Sequence, residues 1–405
     1  MRLLVYSQDG LGLGHLRRTG NIAQEVLARV PDASVLILAD SRATPVLPPH
    51  PGIDYLKLPT LVKTGRSSSH PTSWRGSTLP LDVRETVHLR SQVILHTYEA
   101  FRPDVVLVDH MPVGALGELK ALLDRAGDDP RARLFLGLRD VLDAPEVIRE
   151  AWLELGAYEY LRRYDGVLIY GCREIFDAES AYEIGLHAQK VVFCHYVAPV
   201  QRSVADPLPA PGPGEEPFLL VMGGGGGDAF PLATTFLAAL PLLLQRLRVR
   251  AVILTGPNMP RDKRQALAHA AMGLPVEVES SSEDVAALLA RASAVITMAG
   301  YNSLCEVLAS RKKALVVPRG GPSAEQRIRS RLFSERRLIR VLDPDELAPE
   351  RLATELVALL EEEPDDLDGM VPLDGAQRAA EWLLNGAHSG PQAGIRRALG
   401  GTARR

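Results

Sequence analysis

The chain alternates short apolar runs with longer segments whose apolar positions recur every three or four residues. Residues 3–6 form the first run, and from His15 onward Leu16, Ile22 and Val26 share one face of a predicted helix. Further runs without polar alternation, as in parallel strands buried on both faces, lie at residues 35–39, 105–108, 134–138 and 166–169. The first half is therefore predicted to be a doubly wound α/β domain.

A proline-rich segment separates these elements from a second series. Residues 206–217 combine prolines and glycines with small and acidic residues, which is typical of an extended linker. Beyond it, apolar runs predict strands at residues 218–222, 251–255, 294–298 and 314–317. We therefore predict one Rossmann-like domain over residues 1–205, a second over residues 218–388, and a mobile basic tail over residues 389–405.

The balance of acidic and basic residues limits the kinds of ligand that the protein is expected to bind. The 405 residues include 46 basic and 50 acidic side chains, so the net charge is −4. Because this balance does not favour nucleic acid, small molecules are the expected partners. The tail carries arginines without an acid. It is interpreted as a solvated terminus, which an anionic membrane would attract only weakly.

Cysteine usage and hydropathy indicate the compartment. Cys172, Cys194 and Cys305 form no C-x-x-C pair, so neither a disulfide framework nor a metal site is predicted. The first apolar run ends before Gln8, which is too short for a signal-peptide core. No apolar stretch approaches the roughly 20 residues that span a bilayer. We expect a cytoplasmic protein.

A glycine-rich turn follows the first predicted strand. It contains Gly10, Gly12 and Gly14, and His15 opens the helix that comes next. Glycines let backbone N–H groups approach a ligand and a helix N-terminus attracts anions, so the turn suits a nucleotide phosphate. A dinucleotide fingerprint expects a third glycine where His15 stands, although Asp40, after the second strand, keeps an NAD site open as an alternative. A tight turn without a ligand is the other interpretation.

Two residues compete for the role of general base. A histidine accepts protons near neutral pH, and His15 stands at the mouth of the glycine-rich turn. Asp109 ends the strand at residues 105–108, and ligands of open α/β sheets gather at the carboxyl ends of strands. Each also fits a structural role, His15 as a hydrogen-bonding residue and Asp109 as a cap. His110, Arg139 and Asp140 lie at the same edge and are equally ambiguous.

A run of glycines follows the first strand of the second half. Residues 223–227 are all glycine, and such a run costs backbone entropy on folding. It therefore indicates unusual dihedrals or a close approach of the backbone to a ligand. A diphosphate held by the amides of Gly224, Gly225 and Gly226 fits the second interpretation, and a flexible hinge beside the linker is the alternative.

Two further turns follow the strands predicted near residues 296 and 316. Ser303-x-x-Glu306 and Ser323-x-x-Gln326 both have the spacing of a capping box, which explains helix starts without a ligand. Caps do not explain why two such turns recur about twenty residues apart, each at the carboxyl end of a strand.

Residues 296–326 resemble the donor-binding signature of GT-B glycosyltransferases of the type that includes the lipid II-forming N-acetylglucosaminyltransferase. In that family a turn and helix N-terminus hold the donor pyrophosphate, a glutamate contacts the ribose, and an acid–Gln pair contacts the sugar. By this resemblance the turn corresponds to Gly300, Asn302 and Ser303, the ribose contact to Glu306, and the pair to Glu325 and Gln326. The opening loop with Gly12, Gly14 and His15 resembles the family's N-terminal loop, which approaches the donor phosphates and the acceptor.

The resemblance implies an α/β protein of the GT-B type, with two Rossmann-like doubly wound domains facing across a cleft. It implies transfer of a hexosyl group from a nucleotide-sugar donor, expected to be a UDP-sugar, to an acceptor hydroxyl, with inversion and without metal or cofactor. His15 or Asp109 would deprotonate the acceptor. Residues 6–18 also resemble the start of a bacterial group of predicted glycosyltransferases related to that family.

Two departures from the family pattern leave the donor sugar open. Glu325 stands where the family often has Asp, and Tyr301 stands where a small residue is usual. Two other functions are alternatives. One is a non-hydrolysing nucleotide-sugar 2-epimerase, which shares the two-domain plan, and the other is a nucleotide-binding protein without catalysis, in which the capping boxes are only caps.

Overall fold

The computed structural model describes residues 1–10, 12–41, 50–64, 73–77, 79–199, 216–282, 284–321, 323–362 and 371–388. The predicted linker, apart from Glu216 and Pro217, and the predicted basic tail lie outside these ranges. Within them, no helix is both long and apolar enough to cross a membrane.

A parallel sheet of seven strands organises the first domain. In chain order its elements are β1 (Arg2–Ser7), α1 (Gly14–Arg29), β2 (Ser34–Ala39), β3 (Ile53–Lys57), β4 (Leu61–Lys63), β5 (Trp74–Gly76), α2 (Val83–Phe101), β6 (Val105–Asp109), α3 (Lys120–Gly127), β7 (Arg133–Arg139), α4 (Pro145–Glu154), α5 (Ala157–Leu161), β8 (Gly166–Tyr170), α6 (Ala178–Ala181) and β9 (Val191–Phe193). The strand order is β3-β2-β1-β6-β7-β8-β9, and β4 pairs with β5 as a separate hairpin.

A second parallel sheet, of six strands, organises the rest of the chain. Its elements are β10 (Phe218–Met222), α7 (Phe230–Leu244), β11 (Arg250–Leu254), α8 (Arg261–Ala270), β12 (Val276–Glu279), α9 (Val285–Arg291), β13 (Ala294–Thr297), α10 (Tyr301–Ala309), β14 (Ala314–Val316), α11 (Glu325–Ser334), β15 (Arg340–Val341), α12 (Pro349–Glu361) and α13 (Gly375–His388). The strand order β12-β11-β10-β13-β14-β15 repeats the plan of the first sheet. Every strand predicted from an apolar run is present, with bounds that differ by at most one residue.

Both faces of each sheet are covered, which is why the strands lack polar alternation. Along β1, Leu3 and Val5 belong to one buried cluster, whereas Leu4 and Tyr6 belong to another on the opposite face. Residues of β10 alternate in the same way between two clusters. Two Rossmann-like domains with helices on both sides of a parallel sheet confirm the predicted doubly wound α/β class.

The last helix returns to the first domain. Although the sequence groups α13 with the second series of elements, the helix packs along α1. Ala376, Ala379 and Ala380 are buried, and their small side chains permit close packing. At the rim, Arg29 lies 3.6 Å from Glu381. The chain therefore crosses between its two domains a second time.

The strand order places a ligand crevice in each sheet. Order reverses between β1 and β6 in the first sheet and between β10 and β13 in the second. In open α/β sheets, ligands bind outside the carboxyl ends of the strands at such points. These two places hold Gly10, Gly12 and Gly14, the glycine run at residues 223–227, the start of α10 at Gly300 and the carboxylate of Asp109.

Candidate active site

The turn after β1 is held by a residue that the sequence pattern did not single out. The Asp9 carboxylate accepts hydrogen bonds from the backbone N–H groups of His15 at 2.9 Å and of Leu16 at 2.7 Å. The Gly12 N–H donates to the Asp9 carbonyl at 2.8 Å. Asp9 therefore neutralises the N-terminus of α1 from within the chain, in the position that a phosphate was expected to take.

Asp40 fixes the same turn from beneath. Its fully buried carboxylate accepts hydrogen bonds from the Asp9 N–H at 2.9 Å, the Gly10 N–H at 2.8 Å and Gln8 Nε2 at 2.7 Å. Arg90, also fully buried, lies 3.3 Å from Asp40 and balances its charge. Asp40 thus anchors the loop, and the NAD alternative loses the ribose contact on which it rested.

His15 and Asp109, predicted as rival bases, are in direct contact. His15 Nδ1 lies 2.6 Å from Asp109 Oδ2, because β1 and β6 are neighbours in the sheet. The Asp109 side chain has no exposed surface, whereas 16% of the His15 side chain is exposed. Arg18 Nη2 lies 2.8 Å from the same Nδ1. Because the ionised Asp109 oxygen is the nearer neighbour, we infer that Nδ1 carries the proton and donates it to Asp109, which leaves Nε2 as the basic nitrogen.

Arg18 completes this arrangement and was missed by the sequence reasoning. Its Nη2 donates to both Asp109 oxygens, at 3.0 and 2.7 Å. Its guanidinium also lies between two rings, 5.4 Å from Tyr170 and 5.3 Å from Tyr301 of the second domain. Burial raises the pKa of Asp109, but Arg18 and His15 outweigh it, so the pKa is lowered and the carboxylate stays ionised. The signal was present, since His15 and Arg18 are three residues apart on one helix.

The other residues of this edge have separate roles. The His110 ring stacks at 4.6 Å from the His15 ring, and burial together with nearby cations lowers its pKa well below the usual range. It is therefore neutral at pH 7. Arg139 pairs with Glu325 at 2.9 Å and Asp140 with Arg329 at 2.6 Å, so both join the first domain to the second.

Two glycine-rich turns and the start of α10 meet where the two domains face each other. Asn302 Nδ2 donates to the Gly14 carbonyl at 2.9 Å, which joins the opening turn to the start of α10. A Cβ on Gly224 would lie 3.6 Å from Ser303 Oγ, so the turn after β10 borders the same helix start. Residues from both switch points therefore form one site.

The glycine run contains two kinds of position. Gly226 has φ +92°, and a Cβ there would lie 2.5 Å from the Thr255 carbonyl, so packing within the second domain requires glycine. Gly224 also has a positive φ, of +57°, but like Gly225 it is exposed. Gly224 and Gly225 thus present backbone to the site, whereas Gly226 shapes the turn.

Both predicted capping boxes are wrong. Helix α10 begins at Tyr301 with Gly300 as its N-cap, so Ser303 lies within the first turn and no side chain caps the helix. Helix α11 begins at Glu325 after Ala324. The Gln326 side chain accepts a hydrogen bond from the Arg319 N–H at 2.9 Å instead of reaching back to Ser323. The start of α10 therefore offers backbone N–H groups without a side-chain cap.

The acidic residues assigned to the donor differ in their surroundings. Glu306 is mostly buried, which raises its pKa, and Arg17 of α1 lies 3.6 Å from its carboxylate. Glu325 is 5% exposed and lies 2.9 Å from Arg139 and 2.7 Å from Arg329. Burial raises the pKa of Glu325, but these arginines outweigh it and lower the pKa. Glu306 thus has a single ion-pair partner at 3.6 Å among the described residues, whereas Glu325 belongs to an ionic network between the domains.

The described residues contain no group of three or more His, Cys, Asp or Glu side chains placed to hold a metal ion.

Comparison with known proteins gives a family match in the second half of the chain. The model of the glycosyltransferase family 28 C-terminal domain matches residues 218–372. A UDP-N-acetylglucosamine–N-acetylmuramyl-(pentapeptide) pyrophosphoryl-undecaprenol N-acetylglucosamine transferase of Syntrophotalea carbinolica is 35% identical over 154 residues, which are 37% of this chain and 42% of the relative. The transferase of the same name from Brucella anthropi is 30% identical over 183 residues, 44% of this chain and 48% of the relative. The chain thus matches less than half the length of these relatives.

Solved structures resemble the whole chain. The glycotransferase of kitacinnamycin has a TM-score of 0.65 at 17% identity, covering 95% of this chain and 99% of its own. MurG of Acinetobacter baumannii has a TM-score of 0.59 at 15% identity, with 95% and 100% covered. At such identities the likeness establishes the fold. The chain therefore has the fold of the GT-B glycosyltransferases, and its residues 218–372 match the model of the glycosyltransferase family 28 C-terminal domain.

Proposed function

We propose that this protein is a glycosyltransferase that moves a hexosyl group from a nucleotide-diphosphate sugar to an acceptor hydroxyl. The observation that carries the proposal is the meeting of two glycine-rich turns and the start of α10, from two domains, beside the His15–Asp109 pair. Exposed backbone at Gly224 and the uncapped start of α10 suit a diphosphate. The pair beside them suits proton abstraction from a hydroxyl.

The donor is proposed to bind mainly to the second domain. Its diphosphate would lie on the amides of Gly224, Gly225 and the first turn of α10, and its ribose hydroxyls would donate to Glu306. Gln326, and Glu325 once released from an arginine, would contact the sugar. Because the relatives of this domain are named for UDP-N-acetylglucosamine, a UDP-sugar is the proposed donor.

The proposed chemistry is a single displacement. His15 Nε2 accepts the proton of the acceptor hydroxyl while Asp109 holds the imidazole through Nδ1. The hydroxyl oxygen attacks the anomeric carbon, and the diphosphate leaves from the opposite face, so the configuration inverts. Backbone N–H groups take up the developing charge without a metal ion, and comparable donors in other sites are worth about 3 kcal/mol each.

The acceptor hydroxyl is not specified by these residues. A cytoplasmic location and a weak contact of the basic tail with an anionic membrane remain predictions from the sequence. The relatives named above transfer to an undecaprenol-linked acceptor, which makes a lipid-linked hydroxyl the first acceptor class to assay.

Nucleoside diphosphates and their sugars should raise the melting temperature, and UDP compounds should raise it most, because a ligand of the native state stabilises that state.

In titration calorimetry, Glu306→Gln should weaken nucleotide binding about tenfold, since a hydrogen bond to a charged group is worth roughly 1.5 kcal/mol or more. Glu335→Gln, at the exposed C-cap of α11, is the control.

Three results would contradict the proposal. Unchanged melting with every nucleotide would remove the donor site. Appearance of the 2-epimer of the sugar when the enzyme and UDP-sugar are incubated without acceptor would support an epimerase instead. Equal nucleotide affinity of Glu306→Gln and the wild type would favour the non-catalytic alternative.

Arg18→Met should move the acidic limb of the kcat/KM profile to higher pH. Arg18 helps to keep the pKa of Asp109 low, so its removal lets burial raise that pKa. Asp109 would then be protonated at a pH where the wild type keeps it ionised, and His15 would lose its partner. Arg18→Lys should restore much of the profile. An acidic limb that does not move in Arg18→Met would show that Arg18 does not set the charge of Asp109.

A further inference from the structure

Arg17 is the cation that joins the start of α1 to the proposed ribose site. Its Nη1 lies 3.6 Å from Glu306 Oε1, across the two domains. The Arg17 side chain is 45% exposed and the Glu306 side chain only 12%. Among the described residues, no other side chain pairs with the Glu306 carboxylate. Arg17 Nη1 thus lies at ion-pair distance, beyond hydrogen-bond length, from the carboxylate that a ribose would need.

We propose that Arg17 transfers from Glu306 to the donor diphosphate when the nucleotide binds. This inference rests on the proposed function and adds a residue from the first domain to the donor site. Ribose hydroxyls and the guanidinium compete for one buried carboxylate, so binding of the ribose releases Arg17. The released side chain stays within the first turn of α1, three residues after Gly14, which touches Asn302 of the diphosphate site.

The charge balance of α1 makes Arg17 the suitable partner for the diphosphate. Asp9 already bonds the amides of His15 and Leu16, so the N-terminus of α1 carries little net positive field of its own. Arg18 is buried and its charge is committed to Asp109. Arg17 is the neighbouring cation with an exposed, flexible side chain, and an arginine binds phosphate oxygens through two donors at once.

The exchange predicts that the nucleoside and the diphosphate respond differently to loss of Arg17. A nucleoside must break the Arg17–Glu306 pair and gains nothing from the released side chain. A nucleoside diphosphate breaks the same pair but gains a charge-assisted contact with Arg17. A purely structural role for Arg17 would instead weaken both ligands alike.

Titration calorimetry with uridine and UDP tests this difference. In Arg17→Met, UDP should bind about ten- to a hundredfold more weakly, as expected for loss of hydrogen bonds to a charged group. Uridine should bind as in the wild type or up to about fivefold more tightly, because it no longer has to break an ion pair. A partly exposed ion pair contributes at most about that factor. Arg29→Met, which removes a surface arginine from the other end of α1, should leave both affinities unchanged.

The outcomes separate this inference from the proposed function. Equal weakening of uridine and UDP in Arg17→Met, or no change for UDP, would overturn the exchange while leaving the donor site in place. Failure of the wild type to bind either ligand would overturn the donor site itself. Glu306→Gln supplies the complement, because it should weaken uridine and UDP by similar factors. A melting temperature of Arg17→Met equal to that of the wild type would show that the fold is intact.

Discussion

His15→Gln is expected to lower kcat by about 10²- to 10⁴-fold, the usual range for loss of a general base. Glutamine keeps a polar side chain of similar reach but does not accept a proton near neutral pH. Nucleotide affinity should stay within twofold of the wild type, because the donor contacts proposed above do not include the imidazole. The measurement is release of nucleoside diphosphate from the sugar donor, with binding followed by calorimetry.

Asp109→Asn gives an independent check on the same pair. The amide keeps the shape of the carboxylate but loses its negative charge. That charge holds the Nδ1–H group of His15, whose nitrogen lies 2.6 Å from Asp109 Oδ2. A fall in kcat without loss of nucleotide binding is expected. His96→Gln, at an exposed position of α2, is the matched control and should have wild-type kcat. A kcat of His15→Gln within threefold of the wild type would exclude His15 as the base.

Arg329→Met is expected to lower the free energy of unfolding by about 3–5 kcal/mol, the cost of leaving buried charges without their partner. Arg329 is 1% exposed and lies 2.6 Å from Asp140 of the first domain and 2.7 Å from Glu325. Its Nη1 also donates to the Ala299 carbonyl at 2.9 Å. Urea unfolding at pH 7 measures the effect.

The control lies on the same helix. Arg331 is 70% exposed and lies 3.7 Å from Glu335, so Arg331→Met should change stability by about 0.5 kcal/mol or less. A similar small change in Arg329→Met would mean that the network between the domains contributes little to the stability of the chain.

The same network predicts a dependence on pH. The pKa of Glu325 is lowered below its ordinary value of 4.5, so its contribution to stability is present above that value. It is lost as the pH falls through the lowered pKa of the folded state. The difference in stability between the wild type and Arg329→Met should therefore narrow on acidification below about pH 4.5. A difference that stays constant down to pH 3 would contradict the role of Glu325.

The pattern of apolar residues along the chain was sufficient to predict the strands of both sheets. Runs such as residues 218–222 are apolar at every position because β10 is covered on both faces, and that requirement is visible without any partner. The turns followed from the same pattern, since a glycine run that ends a buried strand marks a switch point. The resemblance of residues 296–326 then indicated the family of the second domain.

Hydrogen bonding of single side chains was not predictable in this way. Ser303 and Glu306 have the spacing of a capping box, yet α10 begins two residues before Ser303 and the Glu306 carboxylate faces Arg17. Asp9 caps α1 from five residues before the helix begins, which no spacing rule anticipates. A polar side chain takes the partner that folding brings nearest, and that partner is often distant in sequence.

The sequence by itself determined the two parallel sheets, the turns at their switch points and the residue types at the candidate site. A strand that is buried on both faces is apolar at every position, and this pattern is visible in the strand's own sequence. Only the tertiary structure decided that His15 and Asp109, 94 residues apart, are partners and not rivals. It also decided that Glu325 joins the two domains and that Arg17 faces Glu306. These contacts depend on how the sheets and domains meet, which the periodicity of one segment does not encode.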